Sequence, residues 1–184
     1  MTIFRIILTL LSLVIIPKVL AVTISDVHVP ENIQVNGQQL VLNGAGVRDK
    51  FFIDLYVGSL YLSQKSQTMD SILTQPLSMI RLNITSSLIT KDKMQEAIGE
   101  GFEKATNGNT KPLLSEINLF MNLFSQKIDK YDQFSFIFKT ETVECHKNGK
   151  LLSTINNEAF KKALMSIWLG KYPTQQSLKA DMLH

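Results

Sequence analysis

Arg48 is the residue in this sequence best suited to binding or chemistry. It closes the stretch Leu42-Asn43-Gly44-Ala45-Gly46-Val47-Arg48, and Tyr56 follows within the apolar run from Phe51 to Leu62. A guanidinium stays charged at any relevant pH, and its planar fork can grip a carboxylate or phenolate through two parallel hydrogen bonds. A tyrosine hydroxyl can donate to the same anion. A cation beside so much apolar surface needs a negative partner, because an unpaired buried charge costs several kcal/mol. That partner is either a ligand or a carboxylate of the chain, Asp54 or Asp49. Strand alternation would put Phe52, Asp54, Tyr56, Gly58 and Leu60 on one face and Phe51, Ile53, Leu55, Val57, Ser59 and Tyr61 on the other. On that reading Asp54 shares a face with Tyr56. Gly58 either leaves room for a ligand beside Tyr56 or marks a β-bulge.

Other reactive residues are sparse. Cys145-His146 are adjacent in a predicted strand, point to opposite faces and make a poor joint metal or nucleophile site. The remaining histidines, His28 and His184, are scattered. No zinc spacing, P-loop or dinucleotide fingerprint is present, so neither metal nor cofactor is expected.

These residues need elements to position them. Residues 1–21 read as a secretory signal peptide: Arg5, an apolar run from Ile6 to Ile16, then Val19-Leu20-Ala21 as a cleavage site. The run is shorter than the roughly 20 residues of a membrane span, so no stable span is expected after cleavage, and the protein is expected to be periplasmic or secreted. Losing Arg5 and Lys18 takes the formal net charge from +3 to +1. That is not the charge of a nucleic-acid binder. One cysteine allows no internal disulfide, so residues 22–184 must form one domain on their own core.

Val22–Val29 reads as a first strand and Asn36-Gly37 as a turn. Leu42–Lys50 reads as a glycine-bounded turn, feeding a long strand from Phe51 to Leu62 that is covered on both faces. A strand over 78–84 follows. Helices are expected from Thr90, an N-cap, to Asn107-Gly108, and from Pro112 to Lys127. Strands return over 133–140, 142–146 and 151–155, the last two flanking a hairpin turn at 147–150. Helices over 157–170 and 174–183 close the chain. Strands surrounding a helical block indicate α+β organisation. Phe102, Phe120, Phe124 and Trp168 lie on helix stripes and are expected in the core.

Two stretches carry a resemblance. Leu42–Arg48 with the aromatic strand after it, and Ala163-Leu164-Met165-Ser166-Ile167-Trp168-Leu169-Gly170-Lys171-Tyr172-Pro173, are similar to the chalcone isomerase-like superfamily, the second to its bacterial exported branch. The resemblance implies an open-faced β-sandwich: a large antiparallel sheet, helices on one face and a ligand cleft between them. In plant relatives the cleft closes an enone into a flavanone without a cofactor. In fatty-acid-binding relatives an arginine and a tyrosine hold a carboxylate. Arg48 matches the cleft arginine of both. Tyr56 stands where the enzymes have threonine. Matching Glu100-Gly101 to the enzymes' Glu-Asn pair puts Met94 and Ala97 at the catalytic tyrosine and lysine positions, with Lys91 and Lys93 nearby. The expected function is therefore binding of a small amphipathic anion, such as a fatty acid, by Arg48, Tyr56 and Gly58. The alternatives are a cofactor-free isomerase using Arg48 and Tyr56, and an interaction protein without ligand.

Overall fold

The computed structural model describes residues 21–184. The expected signal peptide lies outside them except for Ala21. Strands β1 (Ala21–Ile24) and β2 (Val27–Pro30) form a hairpin of their own. The main sheet has seven antiparallel strands, β3 (Asn32–Val35), β4 (Gln38–Lys50), β5 (Ile53–Leu62), β6 (Ser78–Ile84), β7 (Gln133–Phe138), β8 (Thr142–Lys147) and β9 (Lys150–Asn156). Each lies beside its neighbour in sequence. The helices are α1 (Met69–Leu73), α2 (Lys91–Ala105), α3 (Leu114–Met121), α4 (Glu158–Leu169) and α5 (Gln176–Met182). The main core lies between helices and sheet. A smaller cluster, including Val29, Val57, Tyr61 and Met79, fills the opposite face under the β1–β2 hairpin. The α+β, open-faced architecture expected from the sequence is the observed one.

Local signals explain most boundaries. The Thr90 hydroxyl accepts from the Lys93 amide at 3.3 Å, and the Asn157 side chain accepts from the Phe160 amide at 3.0 Å, capping α2 and α4. Asn107 and Gly108, with φ of 51° and 81°, stop α2. From Tyr56 to Leu62 every residue of β5 is buried, as a strand covered on both sides requires. Phe102, Phe120, Phe124 and Phe160 interlock with ring centroids 5.5–5.9 Å apart, and Trp168 stacks on Phe136 at 5.7 Å. The expected aromatic stripes are core.

The structure departs from the sequence reading in four places. Val22–Val29 is not one strand: Ser25 and Asp26, with φ of 43° and 62°, turn it into a hairpin. The second helix is interrupted, with 3₁₀ turns at Lys111–Leu113 and Asn122–Phe124 flanking α3. The glycine stretch is no turn but the second half of β4. The turn falls instead at Phe51-Phe52, with φ of 52° and 63°, although both residues favour strands.

The glycines of β4 serve close packing. A Cβ at Gly44 would lie 2.1 Å from the Asp181 carbonyl oxygen, and one at Gly46 would lie 2.3 Å from the Asp181 carboxylate. Helix α5 thus rests directly on the β4 backbone. Asn43, buried beside Gly44, fastens it there: its amide donates to the carbonyls of Met182 at 2.8 Å and Ser66 at 2.9 Å.

Candidate functional site

The β4–β5 pair builds the site through an irregularity. A two-residue turn at 51–52 pairs Lys50 with Ile53 and Asp49 with Asp54. Leu55 is then an extra residue in β5, a β-bulge, and the next pair is Arg48 with Tyr56. The bulge places Tyr56 directly across from Arg48 on the helix side of the sheet. It also reverses the phase of the residues before it. Asp54 faces the β1–β2 hairpin and accepts the Ser25 hydroxyl, so the expectation that it shares the face of Tyr56 is corrected.

Arg48 is half-buried and, among the described residues, makes no ion pair. Its Nη1 donates to the Gln175 Oε1 at 2.7 Å and to the Asp49 carbonyl at 2.6 Å. Gln175, the N-cap residue of α5, in turn donates to the Val47 carbonyl at 3.2 Å and the Asp49 carboxylate at 2.7 Å. This clamp orients the guanidinium without neutralising it.

Tyr56 is held from the other side. The Trp168 indole N–H donates to its oxygen at 3.0 Å. Burial raises the phenol's pKa, outweighing the lowering effects of the Trp168 hydrogen bond and the Arg48 charge. The hydroxyl therefore stays protonated at neutral pH. Its oxygen is taken by Trp168, and among the described residues its own proton has no acceptor. It is poised as a donor. Tyr56→Phe should strand the buried indole N–H and cost about 1–3 kcal/mol of stability by denaturant titration. Trp168→Phe should cost its packing loss and this hydrogen bond as well, since Tyr56 is itself buried.

Both residues border a cleft of about 340 Å³ between the tip of the β4–β5 hairpin, the 88–89 loop and α2. This is near the low end of the roughly 300–1,000 Å³ of small-molecule sites. Leu55, Ile89, Met94 and Ala97 supply apolar wall, while Lys50, Lys93, Lys104, Glu96 and Glu100 also border it. Lys93 donates its ammonium to the Leu88 carbonyl at 3.3 Å. Lys91 is not among the bordering residues. Gly101 borders the cleft and also lets α2 approach α4, where a Cβ would meet the Ile167 Cγ2 at 2.9 Å.

Gly58 is neither a bulge nor part of the cleft border. The space above it belongs to Leu178 of α5, which a Cβ would meet at 3.3 Å. Sequence reasoning missed Gln175 and Trp168. Neither carries a local signal, since each acts on a strand more than 100 positions away.

The other candidates fall elsewhere. Cys145 lies in the core, while His146 sits near Glu144, 3.6 Å away. Burial, aided by the Glu144 charge, pushes the Cys145 thiol up to about 12. A thiol reagent at neutral pH should therefore leave Cys145 unmodified until denaturant is added. Arg81, on the opposite sheet face, lies over the Tyr61 ring and donates to the Ser135 hydroxyl at 3.3 Å. Among the described residues no group of acidic, histidine or cysteine side chains is arranged to hold a metal ion.

A curled antiparallel sheet carrying helices on one face, with an arginine-bearing cleft between the layers, defines the class of architecture. A chalcone isomerase-like family profile matches residues 21–184, and the chain belongs to that family. Its fold is similar to the crystal structure of a fatty-acid binding protein of Arabidopsis thaliana, at 16% identity and a TM-score of 0.66, over 89% of this chain and 95% of that one. No curated protein matches it in sequence.

Proposed function

We propose that this protein binds a small amphipathic carboxylate of the fatty-acid class. The carboxylate sits between Arg48 and the Tyr56 hydroxyl, and the tail lies along Leu55, Ile89, Met94 and Ala97. One observation carries the reading: among the described residues, a guanidinium clamped by Gln175 has no carboxylate partner and the phenol proton opposite it has no acceptor, in a partly apolar cleft. The fatty-acid binding protein of similar fold adds support. The chain's own side chains leave the cleft open, which favours a ligand over a pure interaction role. Met94 and Ala97, at the positions that resemblance assigns to the enzymes' catalytic groups, supply no general acid or base, which favours binding over isomerase chemistry.

Native mass spectrometry of gently purified protein, and of protein offered long-chain fatty acids, tests the proposal. A retained or acquired carboxylate lipid is expected. Protein that stays empty under both conditions would overturn it. Chalcone turnover abolished by Arg48→Ala would instead establish the isomerase reading. We further propose export, with cleavage after Ala21 and action in the periplasm or outside the cell. N-terminal sequencing of the mature protein should then begin at Val22.

A further inference from the structure

The turn between β4 and β5 has an unusual composition for its geometry. Two-residue hairpin turns with positive φ at both positions favour Asn-Gly, yet here Phe51 and Phe52 occupy them, 82% and 104% exposed. Bulky aromatics in the left-handed region are strained, and these two gain no burial within the chain to offset it. Ile53 and Leu88 beside them are also exposed. The Lys50 ammonium lies 5.7 Å from the centre of the Phe51 ring.

A second site at the same end of the sheet repeats this chemistry. Tyr131, 75% exposed with φ of 78°, lies under the Lys130 ammonium at 5.0 Å. Its amide is bonded to the Ile84 carbonyl, and Ile84 pairs with Tyr56 of β5. Of the nearby carboxylates, Asp54 accepts from the Ser25 hydroxyl and Asp49 from the Gln175 amide, while Asp26 lies beside Lys130 and Tyr131.

We propose that this end of the molecule docks on an anionic lipid bilayer, with Phe51 and Phe52 inserted at the boundary of headgroups and acyl chains. Lys50 and Lys130 would lie among the phosphates and Tyr131 at headgroup depth. Exposed aromatics flanked by lysines match the interfacial zone, where amphipathic rings sit and basic side chains meet anionic lipid. A projecting two-residue tip suits insertion better than a protein interface, which needs about 800 Å² on each partner. Among the described residues no helix is long and apolar enough to cross a membrane. The inference stands on the tip alone and does not require that the cleft hold a fatty acid. Phe51 also borders the cleft, so a docked molecule would have that cleft beside the bilayer.

Co-sedimentation of the mature chain, Val22 to His184, with phosphatidylcholine vesicles, with and without phosphatidylglycerol, tests this. The wild type should sediment with the anionic vesicles. Phe51→Asn combined with Phe52→Gly should lower partitioning at least about tenfold. Its melting temperature should be equal or higher, because Asn-Gly suits the turn. Phe52→Trp gives an independent readout: its emission should shift to the blue on adding anionic vesicles, against the constant background of buried Trp168. Wild type left in the supernatant, equal sedimentation of the Asn-Gly variant, or unshifted emission would overturn the proposal. So would a concentration-dependent dimer abolished in the Asn-Gly variant without vesicle binding, which would assign the tip to a second copy. Fatty-acid binding measured in solution on the same samples reports on the cleft separately.

Discussion

Arg48→Ala should weaken binding of a long-chain carboxylate by roughly 1.5–3 kcal/mol, the usual worth of a hydrogen bond to a charged group, or about one to two powers of ten in Kd. Stability should move little, because the side chain is half-buried and its partners are the neutral Gln175 amide oxygen and the Asp49 carbonyl. A structural ion pair would behave differently, since removing one member of a buried pair costs about 3–5 kcal/mol. Isothermal titration with a soluble fatty acid, beside denaturant melts, separates the two. The double change with Asp54→Ala should be additive to within about 0.5 kcal/mol, as expected of groups without shared partners. Asp54 lies on the other side of the sheet, with Ser25. Coupling should appear with Gln175→Ala, because Gln175 holds the guanidinium. Unchanged affinity in Arg48→Ala would remove the arginine from the site.

Gly44→Ala should be among the most damaging single-methyl additions available in this chain. The new Cβ would meet the Asp181 carbonyl oxygen at 2.1 Å, and a helix backbone cannot move aside as a flexible side chain can. Overpacking of this kind costs about 3 kcal/mol or more when relief requires an element to shift. Relief here means lifting α5, which would also loosen Gln175, its N-cap residue, from Arg48. Carboxylate affinity should therefore fall although Gly44 does not border the cleft. Gly58→Ala is the control: its methyl would meet the movable Leu178 side chain at 3.3 Å and the Tyr56 ring at an ordinary 3.6 Å, so a loss of about 1 kcal/mol is expected. Equal melting of Gly44→Ala and wild type, with unchanged amide protection in α5, would show that the helix does not rest where described.

The sequence disclosed some of this and concealed the rest for identifiable reasons. Arg48 and Tyr56 stood out because a charge and a phenol interrupt apolar sequence, and they prove to be cross-strand partners. The helix cap at Thr90 was legible because it acts over three residues. The position of Asp54 was not, because alternation assumes an unbroken strand and the extra residue Leu55 resets the phase. The turn at Phe51-Phe52 was hidden by residues whose propensity argues for the opposite structure. The glycines of β4 looked like turn formers, whereas their reason is Asp181, more than 130 positions later. Trp168 and Gln175 were invisible as site residues for the same cause: what they do is set by distant partners.

The order of the sheet has an evolutionary consequence. Its strands follow one another in sequence, and α2 and α3 are carried in the long connection between β6 and β7. Closing a flexible connection of twice the length costs only about 0.6 kcal/mol more, so changes of loop length there, and of residues outside core positions such as Phe102 and Phe120, are weakly opposed by the rest of the fold. The Arg48–Tyr56 pair, by contrast, is fixed by strand register and a bulge, where a one-residue slip would turn Tyr56 away from Arg48. The cleft thus joins a conservative wall to a variable one. On the proposed function, descendants of such a chain could exchange the tail they accept by altering the α2 residues that border the cleft, while the Arg48–Tyr56 pair stays the same.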